Sequence, residues 1–172
     1  MVGGPVVKEV TAQDCRVVID VNVVVDLALE LSGVRTGHRR ALESLLGTLG
    51  EVTVWRGESV RLRPILSSHI VTTARSVLRR GRGAQEAEVL LRAAVRNIHL
   101  RGGIYDDTRE DYYVLAARAR DFFGTDAEDE AVLACAQRCH AAVLTEDREF
   151  RQYLADRHVQ CWGLEAFCLV AA

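Results

Sequence analysis

Short apolar runs that break off at a carboxylate, separated by long stretches of helical period, constrain this chain more than any other feature. Val17-Val18-Ile19 is β-branched throughout and ends at Asp20; Ala141-Ala142-Val143-Leu144 is a second run, followed by Thr145-Glu146-Asp147. Runs this short and this apolar read as strands buried on both faces. Between them, apolar residues recur at helical spacing: Ala41, Leu42, Leu45, Leu46 and Leu49; Ile70, Val71, Ala74, Val77 and Leu78; Ala87, Leu90, Leu91, Ala94 and Val95. Strands alternating with helices predict an α/β fold, a three-layer α/β/α sandwich around a short, mostly parallel central sheet. Residues just past the strand ends of such a sheet gather along one edge, where sites form.

The chain reads as one domain over 1–172, with a core at about 16–165 and a flexible N-terminus over 1–13. Arg16–Ile19 is the first strand, and 21–31 turns into a short helix closed by Ser32-Gly33. A helix follows over 37–49. Val52–Trp55 and Val60–Arg63 alternate around Arg56-Gly57-Glu58-Ser59 as a hairpin, and Pro64-Ile65-Leu66 reads as a separate core strand. Ser68 caps a helix to Arg80, broken by Gly81-Arg82-Gly83. Helices follow over 84–97, over 109–122 capped by Thr108, and over 126–140 capped by Thr125 with Glu128 as its capping-box partner. A strand over 141–144, a helix over 147–157, a short strand Val159–Trp162 and a tail from Leu164 to Val170 complete the order.

With 49% hydrophobic and 27% charged residues, a chain of 172 residues can bury one sizeable core. A net charge of −2 excludes a uniformly basic nucleic-acid binder. Arginines nevertheless gather in the first two-thirds, and acids from Asp106 to Glu130. Five cysteines, an odd number without a secretory signal, fit a reducing cytoplasm. No run approaches the ~20 apolar residues of a membrane span. Cys135 and Cys139 lie four apart before His140, but no second pair has zinc spacing, so they read as buried small residues. Asp106-Asp107 reads as solvated loop, Trp55 and Trp162 as packing, and Gly81-Arg82-Gly83 lacks the context of a phosphate-binding loop.

The candidate site is the acidic set. Asp20 and Asp147 follow strand ends; Asp126 and Asp129 lie one turn apart at a helix start and face the same way. Each alone reads equally as a cap or turn residue, since helix N-termini favour negative charge. Together, from three segments meeting at one sheet edge, they form a set of hard oxygen ligands suited to Mg²⁺ or Mn²⁺.

In Val18-Ile19-Asp20-Val21-Asn22-Val23-Val24-Val25, in Asp126-Ala127-Glu128-Asp129-Glu130-Ala131-Val132-Leu133-Ala134-Cys135-Ala136 and in Val143-Leu144-Thr145-Glu146-Asp147-Arg148-Glu149-Phe150, taken in this order, the chain resembles the PIN-domain nucleases found as the toxin half of bacterial toxin–antitoxin pairs. The resemblance implies metal-dependent hydrolysis of RNA phosphodiesters, with Asp20 the central ligand and Asp129 and Asp147 completing the cage. Asp126 would be a ligand or an outer acceptor, with Asn22 and Thr145 in support. It further implies an RNA substrate, an antitoxin protein as partner and a homodimer. Arg75, Arg79 and Arg148 are candidates to hold the RNA backbone.

The chain departs from that pattern in one place. The family's glutamate in the helix after Ser68 is replaced by Thr72 or Thr73, and no carboxylate occurs between Glu58 and Glu86. A hydroxyl is a weaker Mg²⁺ ligand, so the alternative is a PIN-like domain that binds RNA or protein without cutting. A phosphotransfer receiver would need a late lysine, and Lys8 is the only lysine. A dehalogenase-like hydrolase would need Asp-x-Asp where Asp20-Val21-Asn22 stands.

Overall fold

Val17, Val18 and Ile19 are at most 1% exposed, so strand β1 (Gln13–Ile19) is covered on both faces at its C-terminal half. The computed structural model describes residues 12–55, 57–108, 112–120 and 126–168. In it β1 is the centre of a six-stranded sheet of order β2-β3-β1-β5-β6, with β4 also paired to β3. The strand β3 (Glu58–Ser67) runs antiparallel to β2 (Val52–Trp55) and parallel to both β1 and β4 (Ile104–Asp106). On the other side β5 (Ala142–Leu144) runs parallel to β1 and to β6 (Cys161–Trp162). Every strand but β2 therefore points its C-terminal end toward the same edge.

Helices flank this sheet: α1 (Val21–Leu31), α2 (Arg39–Thr48), α3 (Ser68–Arg82), α4 (Ala84–Leu100), α5 (Tyr112–Arg120), α6 (Ala127–Cys139), α7 (Arg148–Asp156) and α8 (Glu165–Cys168). The fold is the α/β sandwich that the alternation of strand and helix predicts. Among the described residues no helix is long and apolar enough to cross a membrane.

Helix α6 packs against β1, β5, α3 and α5. Its residues Glu130 to Ala136 are all buried, so it lacks the polar face of a surface helix. The core is continuous from β1 through α1, α3 and α4, with Leu27, Leu42, Leu62, Ile70, Leu91 and Phe150 each at most 2% exposed.

Several local expectations change. The hairpin and the core strand after it are one strand, β3, with Pro64 inside it. Leu62 accepts from the Gly50 amide at that strand's outer edge. Backbone groups alternate along a strand, so Pro64 turns its missing N–H to the same edge, in the gap where β2 has ended and β4 not yet begun. The α3 N-cap is Ser67 rather than Ser68: its hydroxyl accepts from the Ile70 amide at 3.2 Å. Helix α3 continues through Gly81 to end at Gly83 (φ 80°), the left-handed conformation glycine adopts cheaply. Asp126, not Thr125, caps α6, accepting from the Asp129 amide at 2.9 Å. Thr125 lies outside the described residues, as do 109–111 and 121–122 of the helix expected over 109–122. Strand β1 takes in Gln13 from the segment expected to be flexible; residues 1–11 are likewise outside. Asp106-Asp107 is not free loop, since Asp106 ends β4.

Candidate metal centre

Asp20 ends β1 and begins α1. Its backbone is extended (φ −70°, ψ 162°) and its Oδ1 accepts from the Val21 amide at 2.6 Å, so one residue both closes the strand and caps the helix. Its Oδ2 accepts from Thr145 Oγ1 at 2.6 Å and from Asn22 Nδ2 at 3.1 Å. The side chain is 6% exposed. Burial pushes its pKa up, the bonds from Thr145, Val21 and Asn22 pull it back, and the charge of Asp147 adds to the rise.

Thr145 follows β5 and is fully buried. Besides donating to Asp20, its hydroxyl accepts from Asn22 Nδ2 and from the Asp147 amide, each at 3.1 Å. Asn22 in turn accepts from the Glu146 amide through Oδ1 at 3.2 Å. Asp20, Asn22, Thr145 and Asp147 thus form one network joining the ends of two adjacent parallel strands. Asn22 and Thr145 thereby fix the orientation of the Asp20 carboxylate.

The remaining acids enter through helix starts. Asp147 caps α7, accepting from the Phe150 amide at 2.9 Å. Asp126 caps α6, and Asp129 sits in its first turn. Asp129 is pushed up to about 7, chiefly by burial, then by the charges of Asp126, Asp20 and Asp147. The four acids named from the sequence therefore share one electrostatic neighbourhood. The carboxylates of Asp20, Asp129 and Asp147 do not all three lie within 4.8 Å of one another; among the described residues the His, Cys and acidic groups that do so are Asp106, Cys135 and Cys139.

The arginines are less well placed. Arg75 is held by Glu88 of α4 at 3.0 Å, so its side chain is committed to a helix–helix ion pair rather than free for RNA. Arg79 is exposed in the last turn of α3, which leads away from the sheet edge. Arg148, exposed beside Asp147, remains at the site. Thr72 is exposed and Thr73 half-buried in the second turn of α3, and no carboxylate of α3 faces the acidic set.

Sequence reading assigned no role to a group bordering this centre. His38 Nδ1 lies 2.7 Å from Asp26 Oδ2, and its Nε2 is 3.8 Å from Glu146 Oε2. Glu146 also accepts from the Leu164 amide. The only signal for Asp26 was its position one helical turn after Asn22. Ser67, at the end of β3, is the buried polar residue nearest in the chain to the place of the missing carboxylate among the described residues.

No protein-family model matches the sequence, and no curated protein matches it. Among solved structures the chain is similar to a domain of a functionally unknown protein from Methanocaldococcus jannaschii DSM 2661, with a TM-score of 0.55 at 14% identity, over 87% of this chain and 90% of that one. At that identity the likeness establishes the fold alone.

Proposed function

We propose that the chain is a divalent-metal-dependent endoribonuclease of the PIN type, hydrolysing RNA phosphodiesters with Asp20, Asp129 and Asp147 around Mg²⁺ or Mn²⁺ and Asp126 beside them. The observation that carries this reading is geometric: the ends of β1 and β5 and the starts of α6 and α7 bring Asp20, Asp147, Asp126 and Asp129 to one edge, with Asp20, Asn22, Thr145 and Asp147 in one hydrogen-bond network. The acids are close enough that the charges of Asp126, Asp20 and Asp147 help raise Asp129. Carboxylates that raise one another in this way are relieved by protons or by a cation. The donor set fits a hard cation, being all oxygen.

When bound, such an ion polarises a phosphoryl oxygen and lowers the pKa of a coordinated water. The chain's own residues do the rest. Thr145 and Asn22 fix the Asp20 carboxylate in one orientation. Asp129, ionised once a cation relieves the repulsion of its neighbours, would hold that ion from the first turn of α6. Arg148 offers a guanidinium to the phosphate backbone from the first turn of α7. Flexible single-stranded or loop RNA suits so open an edge best. The toxin role, with an antitoxin partner and a homodimer, extends this reading by resemblance; it predicts growth arrest on expression, relieved by co-expressing the adjacent open reading frame.

The test is cleavage of structured and unstructured RNA by the full chain with Mn²⁺, Mg²⁺ or EDTA, beside Asp20→Ala and Asp129→Ala. Cleavage that needs the cation and vanishes in both variants supports the proposal. A second reading, an RNA- or protein-binding domain that does not cut, is favoured by Thr72 and Thr73 standing where a carboxylate is wanted. RNA retained in a gel shift but left intact under every cation would select it.

A further inference from the structure

At the opposite end of α6 from Asp129, we infer that Asp106, Cys135 and Cys139 form a second, chemically distinct metal site, taking a thiophilic divalent ion of the Zn²⁺ class. Cys135 and Cys139 lie one turn apart on α6, and β4 brings Asp106 to them. The Asp106 Oδ2 atom is 3.5 Å from Cys135 Sγ and 4.0 Å from Cys139 Sγ, and all three ligand atoms fall within 4.8 Å of one another. A tetrahedral zinc with bonds of about 2.3 Å to sulfur and about 2.0 Å to oxygen sets sulfur and oxygen about 3.5 Å apart, so the cluster stands near the edge length of that tetrahedron. Sulfur ligands exclude Mg²⁺ and favour zinc-like ions.

Charge points the same way. Two thiolates and a carboxylate around a divalent ion leave one negative charge. The Arg138 guanidinium lies on Asp106 Oδ2, with Nη2 at 2.5 Å, and neutralises it. Ligation as thiolates releases one proton from each cysteine. A path exists: half-buried Cys139 lines a cleft of about 930 Å³ at the strand starts, together with Arg16, Ile104 and His140. Water is left to fill the fourth position.

The experiment is titration of the reduced, metal-free full chain with Co²⁺, followed by Zn²⁺. One equivalent of Co²⁺ should raise a thiolate-to-cobalt charge-transfer band together with the visible bands of a tetrahedral ion, and Zn²⁺ should abolish both. Cys139→Ser should cut the charge-transfer intensity by about half and weaken binding by more than about 100-fold, beyond the loss typical of an outer partner. Asp106→Asn should keep the two-thiolate intensity with a comparable loss of affinity. The acidic edge, having only oxygen donors, gives no such band. The inference is overturned if folded native protein shows no charge-transfer band. It is equally overturned if the band survives undiminished in Cys139→Ser, which would assign it to other cysteines; half-buried Cys139 tolerates that change even if Cys135→Ser does not fold.

Discussion

Asp129→Asn removes one charge from the acidic edge while keeping side-chain size and the helix start. In the metal-free native protein Asp129 is raised from 3.8 to about 7. At 1.36 kcal/mol per pH unit a fully buried group so shifted would destabilise the ionised fold by ~4 kcal/mol. Asp129 is only partly buried, and solvent screening reduces that to roughly 1–2 kcal/mol. The sign follows from proton uptake. Between the unfolded value near 4 and the folded value near 7 the native state holds a proton that the unfolded state has lost, so this contribution to stability falls as pH rises through that window. Asp20, also raised, and His38, raised by its bond to Asp26, act in the same direction, so the comparison must be with the variant and not with the raw slope. In EDTA at pH 8, Asp129→Asn should melt roughly 3–6 °C above native. Near pH 4, at the foot of that window, the two should nearly coincide. Saturating Mn²⁺ should reverse the order, adding ~2.7 kcal/mol to the native chain at a hundred times its dissociation constant and little to the variant. A variant no more stable than native at pH 8 in EDTA, with Mn²⁺ stabilising both equally, would refute the idea that these carboxylates form one cation site.

Thr145→Val deletes a buried hydroxyl that serves Asp20, Asn22 and the Asp147 amide; urea unfolding should show a loss of about 1–3 kcal/mol, and Mn²⁺ affinity should fall with it. Gly50→Ala places a Cβ 2.3 Å from the Arg101 carbonyl at a φ of +80°, and should cost on the order of 2 kcal/mol or more by the same measurement. Glu88→Gln, which breaks a half-exposed pair with Arg75, should change stability by less than ~1 kcal/mol. NMR titration should place the His38 imidazole above its ordinary value of 6.5, and Asp26→Asn should bring it down.

Where local period carried information, the sequence was legible. The helices and the strand ends at Asp20 and Leu144 followed from apolar spacing, and with them the meeting of Asp20, Asn22, Thr145 and Asp147 at one edge. Strand β4 was not legible, because three residues after Gly102-Gly103 carry no period. Pro64 read as a break because a proline inside a strand is tolerated only where its missing N–H meets no neighbour, and that depends on where β2 and β4 stop. The bond of Asp26 to His38, the capture of Arg75 by Glu88 and the approach of Asp106 to Cys135 are long-range side-chain meetings, which no local pattern encodes.

The enclosure of α6 on every side has a kinetic consequence. Amide protons along Glu130–Ala136 have no route to water through local fraying, so they should exchange only with whole-domain opening, among the slowest in the chain. Asp129 is thus anchored to a segment that opens only with the whole domain. Under the ribonuclease reading proposed above, any adjustment to an incoming strand falls to the turns at Glu146 and around His38, and RNA must fit the floor of this edge as it stands.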